Sequence, residues 1–145
     1  MTISGTIALA SDHAGYALKQ EIKSFLESAG YPVLDLGAHS TESVDYPDFA
    51  SAMADAVRTG GASCGVLICG TGIGISIAAN RHPGIRAALC HDVTSARLSR
   101  QHNDANVLAL GARMVGAEVA KDCVVTFLAT PFEGGRHQRR VEKLG

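Results

Sequence analysis

The chain has 145 residues, of which 46% are hydrophobic and 5% aromatic with no tryptophan, and its formal net charge is −1. That length and apolar content suit one domain over residues 1–145, while the near-neutral charge and scarce aromatics leave neither a basic field nor stacking surfaces for nucleic acid. No apolar run approaches the roughly 20 residues of a membrane span, and Met1-Thr2-Ile3-Ser4-Gly5 lacks the basic start and apolar core of a secretion signal. A soluble cytoplasmic protein is expected.

A first strand is predicted over residues 6–11, running into Asp12-His13 and a helix over 15–29 that Gly30 stops. The second strand, 33–36, leads to Asp45-Tyr46-Pro47 and a helix over 48–59 closed by Gly60-Gly61. The third, 65–69, carries Val66, Leu67 and Ile68 with no polar interruption, the pattern of a strand buried on both faces. It ends at Cys69 and runs through Gly70-Thr71-Gly72-Ile73-Gly74 into a helix over 73–81 that His82-Pro83-Gly84 halts. A fourth strand, 87–90, meets His91-Asp92 and a helix over 93–100. The fifth, 107–110, meets Gly111-Ala112-Arg113 and a helix over 116–129. After Pro131 a basic tail, 133–145, reads as an extra C-terminal helix with a solvated face. This strict βα alternation predicts an α/β fold: a three-layer α/β/α open sandwich around a five-stranded parallel sheet, Rossmann-like in type.

Ligands of such sheets sit outside the carboxyl ends of the strands. That rule gathers Asp12, His13, Tyr46, Cys69 with its glycines, His91-Asp92 and Arg113 into one expected cleft. His102-Asn103, predicted between a helix and the start of the fifth strand, falls at the opposite end of the sheet.

The strand-Cys-Gly-Thr-Gly-Ile-Gly segment carries the chemistry. Alternating glycines leave N–H groups open at a helix N-terminus, where the dipole favours an anion, an oxyanion or a thiolate. A turn that only relieves crowding needs fewer glycines. The phosphate loop of nucleotide hydrolases requires a terminal lysine that is missing, but a dinucleotide site is a live rival, with Asp92 about 20 residues on as its ribose-binding acid. Ile75 spoils that fingerprint, leaving GxGxG. Asp12 is also a natural helix cap. Four cysteines without paired spacing predict neither disulfides nor structural zinc, and no His-x-x-x-His pair or clustered ligand set predicts a metal.

Five blocks in order, Ser11-Asp12-His13-Ala14-Gly15, Asp45-Tyr46-Pro47, residues 67–80 around Cys69, residues 99–108 around His102, and Glu133-Gly134-Gly135-Arg136-His137, resemble the type B ribose-5-phosphate isomerases. These are related to the allose- and galactose-6-phosphate isomerases, and the resemblance runs almost end to end. It implies a metal-free, cofactor-free aldose–ketose isomerase that acts as a homodimer or dimer of dimers. Cys69 is then the base moving a proton between C2 and C1, Gly70, Gly72 and Gly74 face the enediolate, and Thr71 assists transfer between the oxygens. His102 opens the furanose ring, Asp12 and Tyr46 meet the sugar, and Asn103 steadies the intermediate. His13, Arg113, Arg136, His137 and Arg140 hold the phosphate. One branch of the family uses a glutamate where this chain has Ile75, so the likeness is to the cysteine branch. Ribose 5-phosphate and ribulose 5-phosphate are the first-choice pair. The alternatives are a six-carbon or tetrose phosphate, a nucleotide-binding module, or a flavodoxin-like regulatory domain needing neither Cys69 nor His102.

Overall fold

A computed structural model describes residues 3–145. Strand and helix alternate through β1 (Ile7–Ser11), α1 (Tyr16–Ser28), β2 (Val33–Asp35), α2 (Tyr46–Arg58), β3 (Cys64–Cys69), α3 (Ile73–Asn80), β4 (Ala87–Leu89), α4 (Val93–Asn103), β5 (Val107–Gly111), α5 (Ala117–Ala129) and α6 (Arg136–Glu142). Every expected element is present. Two boundaries shift where it matters. α2 starts at Tyr46, because Pro47 suits a first helical turn, and so carries Tyr46 on the helix. α4 continues beyond its expected end at residue 100, through His102 and Asn103, until Asp104 adopts φ 46°. Arg100 fixes that end: its guanidinium donates to the Ala105 and Thr130 carbonyls at 2.7 and 3.2 Å and to Asp104 Oδ1 at 2.8 Å.

The sheet is wholly parallel in the order β2-β1-β3-β5-β4. From β1 the chain steps outward to β2 and then returns across β1 to β3, so the loops after β1 and β3 leave toward opposite faces of the sheet. A crevice opens at such a switch point. β1, β3 and β5 are buried at every residue, whereas the three-residue edge strands β2 and β4 are half-buried. One core layer packs Ile22 and Leu26 of α1, Ala96 of α4 and Phe127 of α5 against Leu9, Ile68 and Leu108; the other packs Met53 of α2 and Ile75 of α3 against Leu67 and Ala109.

Lys19, fully buried, ties α1 to the end of β2 through a 2.7 Å contact with Asp35 Oδ1, which also accepts the Gly37 N–H at 3.0 Å. Burial alone would raise the Asp35 carboxyl, but the Lys19 and Gly37 hydrogen bonds and the lysine charge outweigh it and hold the group below its ordinary value. Lys19→Met should therefore destabilise the fold by about 3 kcal/mol, the low end for breaking a buried pair. A carboxyl held below its unfolded value of about 4 contributes stability above that value and loses it as pH falls through the folded one. Denaturation midpoints of wild type and variant should thus converge in acid; identical midpoints at pH 7 would reduce the pair to packing.

Candidate active site

Above the carboxyl ends of β1 and β3 lies a cleft of about 470 Å³ lined by Asp12, His13, Ala14, Tyr46, Cys69, Gly70, Thr71, Ile73, Gly74 and Arg113. The sheet order explains this membership. β2 and β5 flank the β1–β3 pair, so the residues following them, Tyr46 and Arg113, reach the cleft. β4 lies beyond β5, and His91 and Asp92 are therefore corrected out of it. Asp92 has another task, capping α4 by accepting the Ser95 N–H at 2.7 Å, which removes the acid that a dinucleotide reading required.

Cys69 closes β3 and is 4% exposed. The Gly72 N–H donates to its Sγ at 3.1 Å, a contact that strengthens when sulfur is negative. Gly72 can aim its N–H this way because it sits at φ 78°, a conformation that disfavours side chains. Its donor faces the sulfur, while Gly70 and Gly74 line the cleft. At Gly74 the ring of Tyr46 comes so near that a Cβ would lie 2.5 Å from Cζ. Only glycine lets that phenol close the cleft wall. Burial pushes the thiols of Cys64 and Cys123 to about 12 and about 11 and raises that of Cys90, so these three stay protonated as packing groups.

Around the sulfur stand four polar groups of different character. Asp12, 6% exposed, accepts the Gly15 N–H on Oδ1 at 3.1 Å within the turn before α1, whose N-cap is Gly15 and not the aspartate, leaving Oδ2 to meet a ligand hydroxyl. His13 Nδ1 accepts the Val44 N–H at 3.2 Å, which puts the ring proton on Nε2 and makes that atom a donor. The Ala112 and Arg113 N–H groups donate to the carbonyls of Cys69 and Gly70 at 2.9 Å each, stitching β5's exit to the glycine turn and laying the Arg113 guanidinium over Gly70. Thr71 Oγ1 accepts the Ile73 N–H at 3.2 Å, so its own proton is free to move. An acceptor sulfur, a mobile hydroxyl proton, a carboxylate and two cationic or N–H donors in one open cleft can abstract and relay protons on a small polar ligand.

The remaining predicted residues lie elsewhere. His102, Asn103, His137 and Arg140, with Val141 and Leu144, line a separate depression of about 250 Å³ where α4 meets α6, and the exposed Arg136 opens α6 beside it. The rings of His102 and His137 stack at 4.4 Å with a 14° tilt, and Glu133 Oε1 stands 3.9 and 3.5 Å from their Nε2 atoms. Burial, with the Arg136 charge behind it, pushes the His137 imidazole below the ordinary histidine range. This trio corrects the expectation that no metal-ligating side chains cluster. Residue spacing concealed it, since His102 is remote in the chain; the one legible signal was the four-residue step from Glu133 to His137.

The family model described as ribose/galactose isomerase matches residues 7–144. Ribose-5-phosphate isomerase B of Escherichia coli is 54% identical over 138 residues, covering 95% of this chain and 93% of that protein. The solved structure of the Clostridium thermocellum ribose-5-phosphate isomerase B superposes with a TM-score of 0.96 at 57% identity, over 97% and 95% of the two chains. A D-erythrulose-4-phosphate isomerase of Pectobacterium atrosepticum is 45% identical over 97% of this chain and 93% of its own length. This chain belongs to the ribose/galactose isomerase family.

Proposed function

We infer that this chain is an aldose–ketose isomerase of the type B ribose-5-phosphate class, interconverting ribose 5-phosphate and ribulose 5-phosphate. The observation that carries the reading is Cys69 Sγ, held 3.1 Å from the Gly72 N–H at the mouth of a polar cleft. In the open-chain aldose the Cys69 thiolate takes the C2 proton, and the electrons left behind form an enediolate across C1 and C2. Thr71 relays a proton between O2 and O1, and the Cys69 thiol returns its proton to C1 to complete the ketose. Donors fixed beside the developing oxyanion are worth about 3 kcal/mol each, so the N–H groups lining the turn are a large part of the rate. Asp12 and Tyr46 hold the sugar hydroxyls.

His102 opens the furanose, protonating the ring oxygen as the C1 hydroxyl loses its proton, and Asn103 steadies the intermediate. Both must come from a second copy of the chain, because within one copy they line the other depression. Ile73 and Ile77, one helical turn apart on α3 and 50% and 54% exposed, offer an apolar strip beside the cleft that a two-fold partner would cover. The active unit is accordingly a homodimer, alone or paired again. It juxtaposes Cys69, Thr71 and Arg113 of one protomer with His102, Asn103, Arg136, His137 and Arg140 of its partner. Reduced, buried cysteines suit a cytoplasmic setting.

The substrate claim is tested by comparing kcat/KM across four-, five- and six-carbon aldose phosphates. Ribose 5-phosphate should lead. A tetrose phosphate in first place would support the second reading, which the likeness to the erythrulose-4-phosphate enzyme favours; such a sugar cannot form a furanose through its phosphorylated C4 oxygen, and His102→Ala would then cost little. Replacing Arg136 and Arg140 together with Ala should raise KM for the sugar phosphate at least tenfold with little change in Tm. Each charge-assisted contact contributes roughly 1.5–3 kcal/mol, whereas exposed side chains matter little to folding. An unchanged KM would leave the pair as a solvated face.

A further inference from the structure

We propose that His102, Glu133 and His137 form a binding site for one divalent transition-metal ion of the zinc type, and that its occupation reversibly blocks the enzyme. The binding half rests on the geometry of the trio alone; the blocking half rests on the role of His102 given above.

The three donor atoms, two imidazole Nε2 and one carboxylate oxygen, lie within 4.8 Å of one another. Two histidines and a glutamate are the ligand set of open zinc sites, which leave a fourth position for water or an anion. Bond lengths of about 2.0–2.2 Å around tetrahedral zinc set neighbouring donors roughly 3.4 Å apart. The Glu133–His137 edge, at 3.5 Å, already has that spacing, and the Glu133–His102 edge at 3.9 Å must close by about half an ångström. Closure also requires the nearly parallel rings to tilt until their lone pairs converge. The side chains able to move are the right ones: His102 is 39% exposed on the last turn of α4 and Glu133 49% exposed, while His137 is held at 9%.

His137 supplies the independent sign of a missing ligand. Its Nε2 is fully buried and makes no hydrogen bond, a state that is unfavourable for a buried polar atom. The donor set also selects the ion. Imidazole suits zinc, cobalt, nickel and copper, whereas magnesium and calcium require oxygen cages absent here. The positive charges of Arg136 and Arg140 weaken the site relative to a structural zinc centre, which is why the consequence is reversible inhibition and not folding.

Metal-free wild-type protein titrated with Co²⁺ should take up one equivalent per chain and develop visible ligand-field absorption without the thiolate charge-transfer band that binding at Cys69 would give; Zn²⁺ should displace it. In the isomerase assay, one equivalent of Zn²⁺ should suppress turnover of wild type and EDTA should restore it. Glu133→Gln should bind Co²⁺ at least about tenfold more weakly, the low end for losing even a supporting partner of a metal site, and should resist zinc correspondingly. If that variant does not fold, His102→Gln makes the same binding comparison. Absence of Co²⁺ uptake, a thiolate band, unchanged affinity in the folded variant, or stoichiometric binding with full activity would each overturn the proposal. A chain with no isomerase activity would instead sink the functional reading, and the Co²⁺ titration would still decide the metal site.

Discussion

Cys69→Ala should fold normally and retain no more than about one hundredth of wild-type kcat for ribose 5-phosphate, the low end of what a positioned base contributes. The removed group is one sulfur atom, and the hydrogen bond lost with it is that from the Gly72 N–H. The fold therefore loses little, and KM should move much less than kcat, because Arg136 and Arg140, proposed to hold the phosphate, do not line the Cys69 cleft. Cys69→Ser sharpens the experiment. Its hydroxyl keeps an acceptor for Gly72 but is far less acidic than a thiol, so the serine variant should be nearly as slow as the alanine one. Near-normal turnover by a folded alanine variant would remove Cys69 as the base, and a fast serine variant would reassign it to positioning.

Mixing two inactive proteins should restore activity. The sites of a Cys69→Ala dimer all lack the base, and those of a His102→Ala dimer all lack the ring-opening group. Where each site joins Cys69 of one protomer to His102 of the other, a mixed dimer has one intact site and one doubly damaged site. Unfolding and refolding an equal mixture makes about half the dimers mixed, so about a quarter of wild-type activity should return. Two residues acting within one chain would give none. A silent mixture, with mixed dimers demonstrated by mass, would dismantle the shared site. The cleft around Cys69 and the depression around His102 differ in every lining residue, and this separation is the physical ground for the expectation.

The elements were legible because their signals are local. Val66, Leu67 and Ile68 can hardly be anything but a central strand, and Gly30, Gly60 and the His82-Pro83-Gly84 stop mark helix ends through backbone preferences of single residues. Strand order was not local. Nothing in residues 87–92 reveals that β5 inserts between β3 and β4, and so His91 and Asp92 were grouped with a cleft they do not reach. Side-chain partnerships of long sequence separation were hidden for the same reason: the Val44 N–H that sets the His13 tautomer, the Tyr46 ring resting on Gly74, and the Glu133 carboxylate between two imidazoles. The contact of the Gly72 N–H with Cys69 Sγ was hidden too, because a glycine pattern tells that N–H groups are open but not which acceptor each one faces.

The most direct test of the central claim is proton NMR of the two sugar phosphates with the wild-type chain in the presence of EDTA. Starting from ribose 5-phosphate alone, and separately from ribulose 5-phosphate alone, the spectra should converge on the same mixture at a rate proportional to enzyme, and Cys69→Ala should approach it at least about a hundredfold more slowly. A folded, dimeric wild-type protein that leaves both sugars unchanged would contradict the account.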